Sequence, residues 1–165
     1  MKVHNMMKSI KNKQFQYEIQ SYQDDCVSNT ISLIEKLRQQ ASFTEVFKKH
    51  HQQHQYNFPV KDTKNIDIMM ETGTGKTFTF IKTIFELRKN FDYKKFIVLI
   101  PTVPIREGTK TNLEDTKEYF KGFYTDAVEK EIEVFVYEGG NISAVKQFIN
   151  TVHLSVLVMT PSAFN

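Results

Sequence analysis

The sequence predicts an α/β protein with a mainly parallel sheet flanked by helices and a helical N-terminal region. Three observations carry that prediction. A glycine-rich loop, Glu71-Thr72-Gly73-Thr74-Gly75-Lys76-Thr77, stands between an extended segment and a helical one. Apolar runs recur at residues 95–100, 133–137 and 154–159, each short enough for a buried strand. Segments with helical apolar spacing separate these runs, and such strand–helix alternation builds a parallel sheet with right-handed crossovers.

Composition bounds the answer further. The 165 residues suffice for one domain with a real core but not for two large ones. With 40% hydrophobic and 25% charged residues, the chain has the balance of a globular protein. The net charge of +3 permits nucleic-acid contact without arguing for it, because a solvated Lys-rich surface gives the same figure. One cysteine, Cys26, cannot form an internal disulfide, which suits a reducing cytoplasm. The first eight residues lack the apolar core of a signal peptide. No stretch approaches the roughly 18 apolar residues of a membrane span, so a cytoplasmic protein with no membrane partner is expected.

Residues 1–14 are polar and basic and read as a loosely held arm. From residue 15 the chain leads into a helix in which Cys26, Val27, Ile31, Ile34 and Leu37 recur at helical spacing. Gln23, at its start after Tyr22, carries an amide whose donor and acceptor match the N6 and N7 edge of adenine. On spacing alone, the plainer reading is an exposed glutamine with no role. A second helical segment spans residues 43–54. His50 and His54 stand at i, i+4, a metal-ligand spacing, but no carboxylate or thiol lies near in sequence and the flanking glutamines suggest a wet face, so no metal is expected. Residues 58–64 read as a loop.

Residues 65–70 read as the strand that approaches the glycine-rich loop. The helix after it places Phe80, Ile81, Ile84, Phe85 and Leu87 on one side, and closes with basic residues that suit a helix C-terminus. The run at 95–100 is expected to be buried on both faces of the sheet. It stops at residues 101–108, after which an amphipathic helix runs to about Phe120 with Leu113, Tyr119 and Phe120 as its buried side. A third strand over 133–137 halts at Gly139-Gly140, a short helix covers 142–149, and a fourth strand over 154–159 ends at Thr160-Pro161. In such sheets ligand groups gather at the carboxyl ends of the strands, here the glycine-rich loop, Pro101-Thr102 and Thr160-Pro161.

The loop has the chemistry of a phosphate cradle. Backbone N–H groups can curl around a β-phosphate only where residues tolerate unusual φ, and Gly73 and Gly75 supply this. Lys76 places a point charge on the β- and γ-phosphates, and Thr77 offers a hydroxyl to the Mg²⁺ that bridges them. Lys76 also opens a helix whose N-terminal dipole favours an anion. The strict form of the pattern has Gly where this chain has Met70.

Tyr22-Gln23, the loop from Glu71 to Thr77, and Pro101-Thr102-Val103-Pro104-Ile105-Arg106-Glu107-Gly108 occur in the order of three superfamily 2 helicase motifs. The sequence resembles the Res subunit of type III restriction enzymes, in which Met-Glu-Thr-Gly-Thr-Gly-Lys-Thr is the usual loop and an Ile-Arg-Glu-Gly run follows the next strand. Residues 156–165 are similar to that family's next DNA-side motif. The resemblance runs from about Phe15 to Asn165. It implies a helical region over 15–64 with the adenine-reading motif, and the first part of a RecA-like P-loop motor domain over 65–165. It implies ATP and Mg²⁺ as cofactors: Gln23 reads adenine, Thr72, Gly73, Thr74, Gly75, Lys76 and Thr77 hold the phosphates and Mg²⁺, and Lys76 is the catalytic cation. Thr102, Arg106 and Thr160 lie on the DNA side, where backbone contacts to double-stranded DNA serve translocation, and recognition belongs to a partner methyltransferase (modification) subunit. The implied activity is DNA-dependent ATP hydrolysis coupled to DNA cleavage.

The family's Asp-Glu-x-His motif, which supports Mg²⁺ and the attacking water, has no counterpart here, and Glu138 reads as a loop residue. The chain therefore looks like the first part of a longer protein with little turnover of its own. Two other classes compete. One is a non-catalytic module that binds nucleotide, nucleic acid or a partner through an unpaired sheet edge. The other, a small P-loop kinase or GTPase, lacks an Asn-Lys-x-Asp guanine reader and has few arginines to place over a transferred phosphate.

Overall fold

A computed structural model of the chain describes residues 20–39, 42–55, 65–125, 132–140 and 142–164. The expected arm over 1–14, the lead-in over 15–19 and the loop over 58–64 lie outside the described residues. Two compact units divide the chain, Gln20–Tyr93 and the stretch from Lys94 onward.

The first unit is helical. Helix α1, Ser21–Gln39, contains neither Gly nor Pro. Its buried stripe is Gln23, Val27, Thr30 and Leu33, so Cys26, Ile31, Ile34 and Leu37 are only half buried. The stripe is turned toward two polar residues because both find acceptors: Thr30 Oγ1 donates to the Cys26 carbonyl at 2.8 Å, and Gln23 reaches the glycine-rich loop. Helix α2, Phe43–Gln53, begins at Ser42, whose hydroxyl accepts from the Glu45 N–H at 3.4 Å, and it buries Val46. Helix α3, Lys76–Phe91, packs along α1 and buries Phe78, Thr79, Ile81, Ile84 and Phe85, and an Asp24–Lys82 ion pair joins the two helices. Asp92, at φ +59°, ends α3 in the left-handed conformation, and its N–H returns to the Arg88 carbonyl at 3.0 Å.

The second unit is a three-stranded parallel sheet with two helices. Strands β1 (Lys95–Leu99), β2 (Glu133–Tyr137) and β3 (Ser155–Met159) lie in the order β1-β3-β2, with Leu99 and Tyr137 both opposite Met159. Helix α4, Val103–Phe123, links β1 to β2, and α5, Ile142–Asn150, links β2 to β3. These two crossovers step across the sheet in opposite directions. Right-handed connections therefore put α4 and α5 on opposite faces. That explains why β3 is buried at all five positions: Leu157 and Met159 pack under Phe148 of α5, while Val156 and Val158 face the other layer.

The sheet corrects three expectations. Residues 65–70 are not a strand: they have no ladder partner among the described residues, and Ile68 and Met69 are exposed. Extended backbone becomes a strand only when a neighbour takes up its N–H and C=O groups. The run at 95–100 is not buried on both faces. Ile97 and Leu99 share a face with Leu157 and Met159 yet are 61% and 58% exposed, because α5 packs mainly over β2 and β3 and meets β1 through Lys95, whose ammonium reaches the Phe148 carbonyl. Finally, α4 starts at Val103, with Pro104 in its first turn where a missing N–H costs nothing, and it runs on to Phe123. Its buried face is Arg106, Thr109, Leu113, Thr116 and Phe120, and Tyr119 is only half buried.

Candidate functional site

The glycine-rich loop takes the shape its residues dictate. Gly73 and Gly75 stand at φ +83° and +82°, in the left-handed region that side chains avoid. Between them, Thr74 turns back on Glu71, whose carbonyl accepts from Thr74 Oγ1 at 2.7 Å. Gly75 is the N-cap of α3, and the first intrahelical bond runs from the Thr79 N–H to the Gly75 carbonyl at 3.0 Å. The N–H groups of Gly75, Lys76 and Thr77 thus precede the helical ladder, no side chain caps them, and no acid stands in the first turn. This end of α3 carries uncompensated positive partial charge, which suits an anion.

Lys76 is exposed and folds back across the loop, its Nζ donating to the carbonyls of Met70 (3.1 Å) and Glu71 (2.6 Å). An ammonium has three N–H groups, so one remains beyond these two bonds. Thr77 is half buried in the same turn, and Thr72 is exposed at the crest of the loop.

Gln23 is joined to this loop, a relation that the 51 residues separating it from Thr74 conceal. Its Nε2 donates to the Thr74 carbonyl at 3.0 Å, and its Oε1 accepts from the Gln20 N–H at 3.3 Å. It is buried, not the exposed helix-start residue that spacing suggested. A Cβ on Gly75 would stand 2.4 Å from Gln23 Nε2, so the glycine also gives the amide room to approach.

In the sheet unit, the other predicted site residues converge at the carboxyl ends of the strands. Thr102 follows β1 as the exposed N-cap of α4, Glu138 follows β2, and Thr160 follows β3. Thr160 is buried, its hydroxyl 3.0 Å from that of Ser162. Arg106 is buried as well. Its Nε and Nη2 contact Glu107 Oε1 at 3.0 and 2.8 Å, and Nη2 also reaches Glu138 Oε1 at 2.7 Å. Glu138 is an exposed loop residue, and its tie to Arg106 had no signal in the sequence beyond its place at a strand end.

His50 and His54 lie with ring centroids 4.4 Å apart and planes tilted by 43°. Burial, followed by the neighbouring His54, Lys36 and His51, pushes His50 below the usual histidine range. Among the described residues, no three His, Cys, Asp or Glu side chains group as metal ligands, and no helix is long and apolar enough to cross a membrane.

A family described as "Type III restriction enzyme, res subunit" matches residues 16–165. Over 75 residues, 44% of this chain, the sequence is 48% identical to the Type III restriction-modification enzyme EcoPI Res subunit of Escherichia phage P1. Over 75 residues it is 47% identical to the EcoP15I Res subunit of Escherichia coli, again 44% of this chain. Over 91 residues, 51% of this chain, it is 33% identical to the StyLTI Res subunit of Salmonella typhimurium. The matched stretches span 7%, 7% and 9% of those proteins. No solved structure matches significantly. With the family match extending over 16–165, across both the glycine-rich loop and the strand ends, this chain belongs to the Res subunits of type III restriction enzymes.

Proposed function

We propose that these residues form the nucleotide-binding front of a DNA-dependent ATPase that drives a type III restriction enzyme, with residues 65–165 as the first part of a RecA-like motor domain. The observation that carries this reading is the loop: two left-handed glycines, uncapped N–H donors on an acid-free helix start, and a lysine folded over the cradle. Gly73 to Thr77 hold the phosphates of ATP, assisted by Thr72, and the Thr77 hydroxyl is the protein's ligand to the accompanying Mg²⁺, an ion that neutralises developing charge during phosphoryl transfer. Lys76 keeps the β- and γ-phosphates over the helix start. Gln23 spends one N–H and one lone pair on the protein, so its second N–H and second lone pair are the groups that read adenine.

Thr102, Arg106 and Thr160 mark the DNA-side end of the sheet, and a methyltransferase partner supplies site recognition. Substitution of Lys76 by Ala is expected to weaken Mg·ATP binding roughly tenfold to a hundredfold, the range for losing a charge-assisted contact. Calorimetry on both proteins checks this, and unchanged affinity would sink the phosphate-loop assignment. Equal affinity for ATP and GTP would sink the role of Gln23.

One observation favours a second reading, a non-catalytic binding module: among the described residues β1 is an edge strand, with two exposed apolar residues, Ile97 and Leu99. That reading expects self-association through β1, and a clean monomer by light scattering counts against it.

A further inference from the structure

We infer that Glu138 positions Arg106, and that Arg106 serves the DNA-side end of the sheet by fixing the start of α4 against the β2 turn, without itself touching a phosphate. The inference rests on the proposed DNA-side reading and reassigns one residue within it.

Four observations support it. First, the Arg106 side chain is only 7% exposed, whereas Thr102, one turn earlier on the same helix, is exposed. Second, its Nε proton goes to Glu107, and Nη2, which has two protons, contacts Glu107 and Glu138, so three of the five guanidinium donors are engaged. Third, the cluster of one guanidinium and two carboxylates carries a net charge near −1, which repels a phosphate. Fourth, Glu138 directly precedes Gly139 and Gly140, both at positive φ (+73° and +70°), where the chain turns sharply. The register sets this turn beside Thr160, since Tyr137 and Met159 are opposite each other, and a Cβ on Gly139 would lie 3.9 Å from the Ala163 carbonyl. The Arg106–Glu138 pair therefore ties the first turn of α4 to the turn after β2, next to the segment after β3. Thr102, the N-cap of α4, is carried by whatever holds that first turn.

The test uses the intact Res subunit assembled with its methyltransferase partner. DNA-stimulated ATP hydrolysis is titrated with duplex DNA at several salt concentrations, alongside ATP affinity and thermal melting. Glu138→Gln and Arg106→Gln are each expected to raise the half-saturating DNA concentration about tenfold, the scale of one hydrogen bond to a charged group. The double variant should be no worse than the poorer single one, because both changes break the same pair. The slope of log affinity against log salt should match the unsubstituted protein in every variant. Glu138→Gln should keep its rate at saturating DNA and its ATP affinity. Arg106→Lys should resemble Arg106→Gln, since an ammonium cannot reproduce the guanidinium fork.

A slope reduced by about 1 in Arg106→Gln, restored by Arg106→Lys, with Glu138→Gln neutral, overturns the inference and makes Arg106 a phosphate contact. Glu138→Gln retains a charged Arg106 and a neutral isostere, so it decides the matter even if Arg106→Gln does not fold. Lost ATP affinity and a lowered melting point in Glu138→Gln also overturn it, by showing a general structural role. Absence of any DNA stimulation in the unsubstituted complex overturns the DNA-side reading itself, an outcome distinct from the others.

Discussion

At the glycine-rich loop, the first N–H groups of α3 have no side-chain cap, and the exposed Lys76 ammonium meets only the neutral carbonyls of Met70 and Glu71, with no acid in the first turn. At the carboxyl end of the sheet, the polar groups are turned on one another: Arg106 is enclosed by Glu107 and Glu138, and the Thr160 hydroxyl meets Ser162. Both regions collect polar groups where regular structure ends, but the first leaves its positive charge without an acidic partner and the second sets its arginine against two carboxylates. The difference teaches that position at a strand or helix end marks a candidate contact without establishing one. What separates the two is the partner's charge: carbonyls leave the charge of Lys76 in place, whereas the carboxylates of Glu107 and Glu138 offset that of Arg106.

Gly75→Ala should show the largest effect on the open side of this comparison. A Cβ there meets Gln23 Nε2 at 2.4 Å and forces alanine to φ +82°, at a cost of about 2 kcal/mol. Urea denaturation should report that loss. Adding Gln23→Ala should relieve only the steric share, because the amide can swing away but the backbone cannot. Full recovery in the double variant would mean that the glycine serves the amide alone.

Thr160→Val probes the closed side. Removing a buried hydroxyl whose partner Ser162 is exposed should cost about 1 kcal/mol and change DNA affinity by less than about threefold. A tenfold loss of DNA affinity in a duplex-binding titration, with melting unchanged, would show that this hydroxyl is open to DNA and would break the contrast.

Asp24→Asn separates two links between α1 and the rest of its unit. Its ion pair with Lys82 is half exposed, so about 0.5 kcal/mol of stability is expected to go, with ATP affinity intact. An ATP affinity lowered as much as by Gln23→Ala would mean that the ion pair, and not the amide, holds the loop in place.

The smallest effect concerns pH. His50 has a folded-state pKa below its ordinary value of 6.5, so between the two values the unfolded chain binds more protons than the folded one. Stability therefore rises with pH through that window and falls on acidification through it. His50→Gln should flatten this part of the profile, measured by melting from neutral pH down to pH 5. An unchanged slope would place the proton uptake on another group.

Much of this organisation could be read from short stretches of sequence. The loop's conformation follows from Gly73, Gly75 and Lys76 acting within a few residues of one another, and the helix after it follows from local spacing. The strands β1, β2 and β3 were legible as apolar runs, and α4 and α5 as the patterns between them. Leu113 and Phe120 are legible as buried because helical periodicity states which residues share a face, and here one large apolar residue every two turns is enough to choose that face.

The tertiary structure decided what depends on neighbours distant in the chain. Phe96–Leu99 and Val156–Met159 are equally apolar, yet the first lies at an edge and the second in the centre, because opposite crossover directions put a helix on each face of β3. Residues 65–70 have strand-like composition but no ladder among the described residues, since pairing belongs to two segments and not to one. Gln23 reaches Thr74 across 51 residues, and Arg106 reaches Glu138 across 32. Periodicity could place Gln23 and Arg106 on their helices. Their partners were set by how those helices pack, because burial and hydrogen bonding are shared properties of surfaces that the folded chain brings together.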